Sequence, residues 1–137
     1  MSNFSAYTEQ SVYNWALQNV AMPASPVTVY LDLSTADPLD DMSAIAPIID
    51  AGAPFARQAL AMAAPASVNG VGTSGANTGN IIFPTATVAW GIITHGIIYD
   101  ALVAGNALFH FQWAVSKNIG IGDTYICAIS DILVLIR

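Results

Sequence analysis

The sequence predicts an all-β fold: an antiparallel, jelly-roll-like sandwich with a short helix at its N-terminus. Two observations carry that expectation. Val27, Val29, Leu31 and Leu33 alternate with Thr28, Tyr30, Asp32 and Ser34, which is the period of a strand with one buried face. From Ile81 onward, short apolar runs recur about every ten residues, the spacing of a sandwich or barrel. They are divided by "FP", "WG", "HG", "AGN" and "IGIGD". At 137 residues the chain has the length of one ordinary domain with a real core, so a single domain over 1–137 is expected.

Taken in order, Phe4, Val12, Trp15 and Val20 fall at spacings near three and four, with Glu9 early. This predicts a short amphipathic helix within an N-terminal arm, residues 1–25. After the alternating strand, "STADPLDD" is turn chemistry. In "MSAIAPIIDAGAPFARQALAMA", Pro47, Gly52 and Pro54 prevent a long helix, so a loop followed by a strand near Phe55 to Ala63 is expected. "PASVNGVGTSGANTGN", Pro65 to Asn80, has no periodicity and reads as a flexible loop whose removal, Val68 to Gly79, should leave the fold intact. Pro84 suits a strand start, Ala86, Val88 and Trp90 alternate toward a core, and Gly91 permits a bend or bulge. Gly105-Asn106 and Gly122-Asp123 are turn pairs. Phe109, Phe111, Trp113 and Val115 share one face of a strand opposite Leu108, His110, Gln112 and Ala114. "DILVLIR" is apolar on both faces and is expected to be covered on both sides.

Composition narrows the function. The chain is 55% hydrophobic and only 9% charged, where a soluble domain has about 25% charged residues. Membrane residence and burial against other protein would both explain this. A spanning helix needs about 20 successive apolar residues, and the longest runs, Gly91 to Gly105 and Tyr125 to Ile136, are broken by His95, Asp100, Ser130 and Asp131. The opening "MSNFSAYTEQ" has no basic segment before an apolar core, so no signal peptide is expected. Association with protein is the better reading. Arg57, Lys117 and Arg137 stand against nine acids, a net charge of −6, which excludes a phosphate-neutralising surface for nucleic acid. Cys127, alone in "TYICAIS", allows no internal disulfide and no cysteine-rich zinc site, and reads as a buried small hydrophobe.

Candidate chemistry is sparse. Asp37, Asp40 and Asp41 in "ADPLDD" could offer oxygens to a cation, but the spacing is that of no calcium loop, and an ordinary turn is the better reading. His95 in "ITHG" and His110 in "LFHF" lie in apolar strands, where histidine is usually a hydrogen-bonded core or interface residue. There is no G-x-S-x-G elbow and no H-E-x-x-H, and one glutamate in the whole chain leaves little for a pair of glycosidase carboxylates. "GVGTSG" lacks the lysine of a phosphate loop. Trp90, Tyr99, Phe109, Phe111 and Trp113 could stack on sugars, but their alternation favours core. No catalytic, cofactor or metal residue is assigned.

The succession "TVYLDLSTADPLDD", "PFARQALAMAAP", "ANTGNIIFPTATVAWGIITHGIIYDALVAGNALF" and "GIGDTYICAISDILVLIR" resembles a family of small tailed-phage virion proteins, many described as tail-fibre-like, others similar to head decoration or cement proteins. The likeness runs from about Pro26 to Arg137 and is most specific in "FPTATVAWG", "TH" before "IIYD", and "AGNAL" before "GD". Arg57 and Gln58 match the family's Tyr-Ala-Arg-Gln segment, with Phe55 in place of the tyrosine and "PLDDMSAIAPIIDAGAP" lengthened. Asn77, Phe83, Pro84, Trp90, Gly91, His95, Asp100, Gly105, Asn106, Gly122 and Asp123 fall on recurring positions. The resemblance implies a structural protein of the virion, assembled in the host cytoplasm, with no enzymatic activity and no cofactor. Its first implication is a decoration or cement protein that binds the major capsid protein through contacts of about 1,600 Å², as a homo-oligomer such as a trimer. The alternative is a tail-fibre or tail-tip component that joins fibre to tail or binds a host-surface glycan. Arg57, Phe83, Pro84, Trp90, Gly91, His95, Asp100 and Trp113 are the structural or interface candidates.

Overall fold

The computed structural model describes residues 2–52, 55–68 and 72–136. Among them are β1 (Ser2–Phe4), α1 (Ala6–Gln18), β2 (Val29–Ser34), β3 (Gln58–Leu60), β4 (Ala66–Val68), β5 (Gly72–Ala76), β6 (Ile81–Thr85), β7 (Gly91–Tyr99), β8 (Ala107–Ile119), β9 (Thr124–Cys127) and β10 (Leu133–Ile136). The chain is mostly strand, as its alternation and turn spacing predict, with one helix where the N-terminal spacing places it. No helix of the described residues is long and apolar enough to cross a membrane.

All strand pairs are antiparallel. The largest sheet has the order β1-β8-β7-β2-β3, and two smaller ones run β10-β5-β4 and β6-β9. One hydrophobic cluster joins them: Leu31 and Leu33 of β2, Leu60 of β3, Ile93 and Ile98 of β7 and Phe111 of β8 meet Phe83 of β6, Tyr125 and Cys127 of β9 and Val134 of β10. This is a sandwich-like arrangement, although sheets of five, three and two strands are not the paired four-stranded sheets of a jelly roll. A second, smaller cluster, Ile97, Tyr99 and Ala107, lies under Met42 and Ile45 of the long β2–β3 connection.

Side-chain parity explains how β7 serves both clusters. Ile93 and Ile98 could not share a face in a regular strand, because successive side chains alternate. The β7–β8 ladder is irregular between Ile93 and His95, where β8 carries extra residues between Gln112 and Lys117. Across that irregularity both Ile93 and Ile98 reach the main core, while Ile97 faces the second cluster. Past the bulge Gly96 pairs with Phe111, and a Cβ at Gly96 would overlap the Phe111 ring. The same irregularity ends the alternation of β8: Phe111 is buried and Phe109 and Trp113 half-buried, but Val115 is 72% exposed.

Several segments depart from the expectation. The Pro65 to Asn80 stretch is no uninterrupted loop, since β4 and β5 lie within it. Its small residues carry no periodic signal because β5 is held by backbone ladders to β4 and β10 and lies close to the segment before β4, where a Cβ on Gly75 would stand 3.1 Å from the Ala63 carbonyl. The Phe55 to Ala63 strand is shorter than expected, with β3 covering Gln58–Leu60. Val27 is fully exposed ahead of β2. Pro84 stands near the end of β6 rather than at its start, in the gap of the β6–β9 register between Ile82 and Thr85, where no ladder N–H is required. Val88 is exposed while Ala86 and Trp90 are buried. In "DILVLIR", Ile132 and Val134 are buried and Leu135 half-buried, but Leu133 and Ile136 are exposed, so β10 is not covered on both sides along its length.

Asn77, directly after β5, locks this region. Its Nδ2 donates to the carbonyls of Gly79 (2.9 Å) and Ala128 (2.8 Å), and its Oδ1 accepts from the amide of Ile132 (2.9 Å). The residue is 2% exposed. Deleting Val68 to Gly79 therefore removes β5 and this junction, and the expected outcome is loss of the cooperative thermal transition followed by circular dichroism. A sharp transition in the deletion variant would show that the segment is dispensable.

Candidate functional site

The residues singled out from sequence form three polar clusters. At the first, Trp90 sits at the corner before β7 and donates from Nε1 to Asp50 Oδ2 at 2.9 Å. The same oxygen accepts from the Thr87 amide (2.7 Å), and Asp50 Oδ1 accepts from Thr87 Oγ1 and from the Gly52 amide (3.2 Å). Asp50 is 4% exposed. The corner turns because Gly91 takes φ +84°, a conformation that favours glycine. Trp90 packs edge-on to Phe55, which stacks on Phe83, so two of the candidates belong to the core and present no surface to a partner.

Arg57 organises the second cluster at the β7–β8 turn. Its Nε donates to Asp32 (3.0 Å), its Nη1 to the carbonyls of Ala101 (2.9 Å) and Ala104 (2.6 Å), and its guanidinium lies 3.3 Å from the centre of the Tyr99 ring. Asp100 closes the turn by accepting from the amide (2.7 Å) and the side chain (3.0 Å) of Asn106. Arg57 and Asp100 thus come together as a clamp on one hairpin. Burial raises the Tyr99 hydroxyl above its usual range, with Arg57 working the other way.

The third cluster spans β7, β8 and the loop after β2. His110 Nε2 lies 2.8 Å from Asp40 Oδ1, His95 Nδ1 is 2.9 Å from Thr94 Oγ1, and His95 Nε2 faces Asp37 at 4.0 Å. His110 is 4% exposed, which closes it to a substrate. Asp37 and Asp41 accept from the amides of Leu39 and Ser43, as turn residues do. Among the described residues no group of histidine, cysteine and carboxylate side chains has the arrangement of a metal site. Cys127 is 1% exposed, and burial pushes its thiol up to about 11. That combination makes it a poor nucleophile.

Trp113 lies half-buried between Phe111 and Tyr125. Of the aromatics weighed as a sugar platform, Trp90, Tyr99 and Phe111 are buried and Phe109 and Trp113 half-buried. Open apolar surface lies elsewhere: on α1, where Trp15 is 58% and Leu17 71% exposed, and at Ile82 and Ile126, cross-strand partners on β6 and β9. Sequence reasoning passed over Asp50 and the outward side of α1. A lone acid inside the apolar "APIIDAG" was the available signal for Asp50.

Two outcomes follow from this geometry. Both Asp50 oxygens accept from donors, so asparagine would turn an amino group toward N–H or O–H in either orientation; Asp50→Asn should lose about 3 kcal/mol and about 10 °C in Tm. A shift under about 2 °C would remove Asp50 from this role. Burial holds the His95 imidazole below its usual 6.5, opposed by Asp37 and reinforced by His110. The unfolded chain therefore takes up a proton first as pH falls below 6.5, and stability declines through that window. Tm should drop between about pH 7.5 and pH 5.5, and less in His95→Gln; an equal drop in both proteins would assign the effect to other groups.

The family model described as Podophage GP4 fiber I protein gp80 matches residues 3–134. No curated protein matches the chain. The match covers nearly the whole sequence, and the chain belongs to the Podophage GP4 fiber I protein gp80 family, whose members are virion structural proteins of tailed phages.

Proposed function

We propose that this protein is a structural subunit of the virion's fibre apparatus at the tail, working by protein–protein contact, with no enzymatic activity and no cofactor. The family match over residues 3–134 is the observation that carries the reading. It favours the fibre over the capsid-decoration role that the resemblance put first, because the family is described by its fibre and not by the head. The arrangement of side chains supports it. The polar clusters at Asp50, Arg57 and Asn77 fasten the chain to itself, while large apolar side chains such as Trp15, Leu17, Ile82 and Ile126 stand in the open. The subunit would join fibre to tail through many modest contacts rather than through a carved pocket.

Copy number tests this. In purified virions, quantitative mass spectrometry against the major capsid protein should give a few to a few dozen copies per particle, the stoichiometry of tail appendages. Hundreds of copies in fixed ratio to the shell subunit would overturn the fibre reading in favour of head decoration.

A further inference from the structure

We infer that the cleft between the β7–β8 turn and the β2–β3 connection is a docking site for an apolar, uncharged segment of a partner protein, held by the Arg57 guanidinium. The inference rests on the fibre-subunit reading and names one of its contacts. The cleft has a volume of about 350 Å³, at the small end for a binding pocket. Pro47, Ile48 and Phe55 of the connection line it together with Leu102 and Val103 of the turn, and the Asp32–Arg57 pair is its charged part.

Arg57 is a fixed donor with capacity to spare. Its Nε is taken by Asp32 and its Nη1 by the carbonyls of Ala101 and Ala104, while the guanidinium lies over the Tyr99 ring. These bonds leave both N–H groups of Nη2 without a carboxylate or carbonyl acceptor among the described residues. The side chain is only 16% exposed, so an acceptor entering the cleft meets a preorganised and partly dehydrated donor. The turn is held as firmly. Asp100 accepts from the Asn106 amide and side chain, and Ala104 stands at φ +55°, a left-handed conformation unfavourable for a residue with a side chain. Such backbone persists where the surrounding bonds over-determine it, ligand clamps among those places.

Charge and exposure decide the occupant. Asp32 already neutralises Arg57 at 3.0 Å, and a second carboxylate on the same guanidinium would face Asp32 as a like charge. The unused N–H groups therefore suit a neutral acceptor, a backbone carbonyl, and the apolar lining suits the side chains beside it. Leu102 is 49% and Val103 80% exposed although both line the cleft. A small-molecule ligand is normally buried over most of its surface, which this open rim does not provide. A segment carried on a folded partner closes the rim with the partner's own surface, and a small apolar contact shielded in that way is where binding energy concentrates. A second copy would bring a further net charge of −6 to a turn flanked by Asp32 and Asp100, so a different chain is the better fit.

NMR titration of the purified full chain with a capped neutral peptide, acetyl-Leu-Gly-Leu-amide, tests the inference. The amides of Ala101 to Ala104 and the Arg57 Nε–H should shift and saturate with a dissociation constant below about 5 mM. The same peptide with a free terminal carboxylate should bind at least about threefold more weakly. Val103→Glu should weaken binding of the neutral peptide at least about tenfold, while Val115→Glu, on an exposed part of β8, should not. No shift up to about 20 mM peptide overturns the site. Equal or tighter binding of the acid makes the occupant an anion, and shifts of the same amides on concentrating the chain alone make it a second copy; either overturns the proposal. In virions, Val103→Glu should be incorporated at least about tenfold below wild type, and normal incorporation overturns docking to a virion partner. The titration reads the cleft on the isolated chain and the wild-type copy number reads the fibre assignment, so the two fail separately.

Discussion

The buried carboxylate of Asp50 is the constraint from which the rest of the packing can be traced. It fixes Thr87 and the Trp90 indole at the corner before β7, and from Trp90 an unbroken series of ring contacts crosses the molecule: Phe55, Phe83, Tyr125, Trp113 and finally Phe111. The series links the β2–β3 connection, the β6–β9 pair and the large sheet. It ends where Phe111 lies over the bare backbone of Gly96. Such contacts are worth about 0.5–1.5 kcal/mol each beyond area burial, so their geometry matters more than their count. Asp50 sets one end and Gly96 the other.

The few charges of the chain are used in the same way. Asp100, Asp123 and Asp131 each close a turn by accepting from a backbone amide three to six residues away, at Asn106, Gly120 and Ala128. Asp32 neutralises Arg57, and Arg57 in turn takes up two carbonyls of the β7–β8 turn. Carboxylates so engaged act as local fasteners.

How much of this was legible follows from where the information lies. The alternation of Leu31 and Leu33, the Gly105-Asn106 turn pair and the glycine corner at Gly91 are local signals, and all three stand in the structure, the second as the turn between β7 and β8. The strands β4 and β5 were hidden because "GTSGA" owes its conformation to backbone pairing with β10 and β4, which leaves no side-chain period. Asp50 and Asn77 were hidden because their partners lie up to 55 residues away, and one acid or amide in a sequence says nothing of distant donors. The β8 bulge was hidden for the same reason: it is a property of the pair, and only the misfit between the Ile93 and Ile98 positions betrays it.

The helix carries the opposite lesson. Its spacing predicts the helix, but periodicity reports that a face exists without reporting what covers it. An apolar stripe is normally assigned to the core of its own chain. The N-cap Ser5 and Thr8 of the first turn bond to carbonyls of β8, while Trp15 and Leu17 of the last turns stand exposed. Trp90 and Phe83 lie in the core of the chain, whereas Trp15 and Leu17 stand in the open.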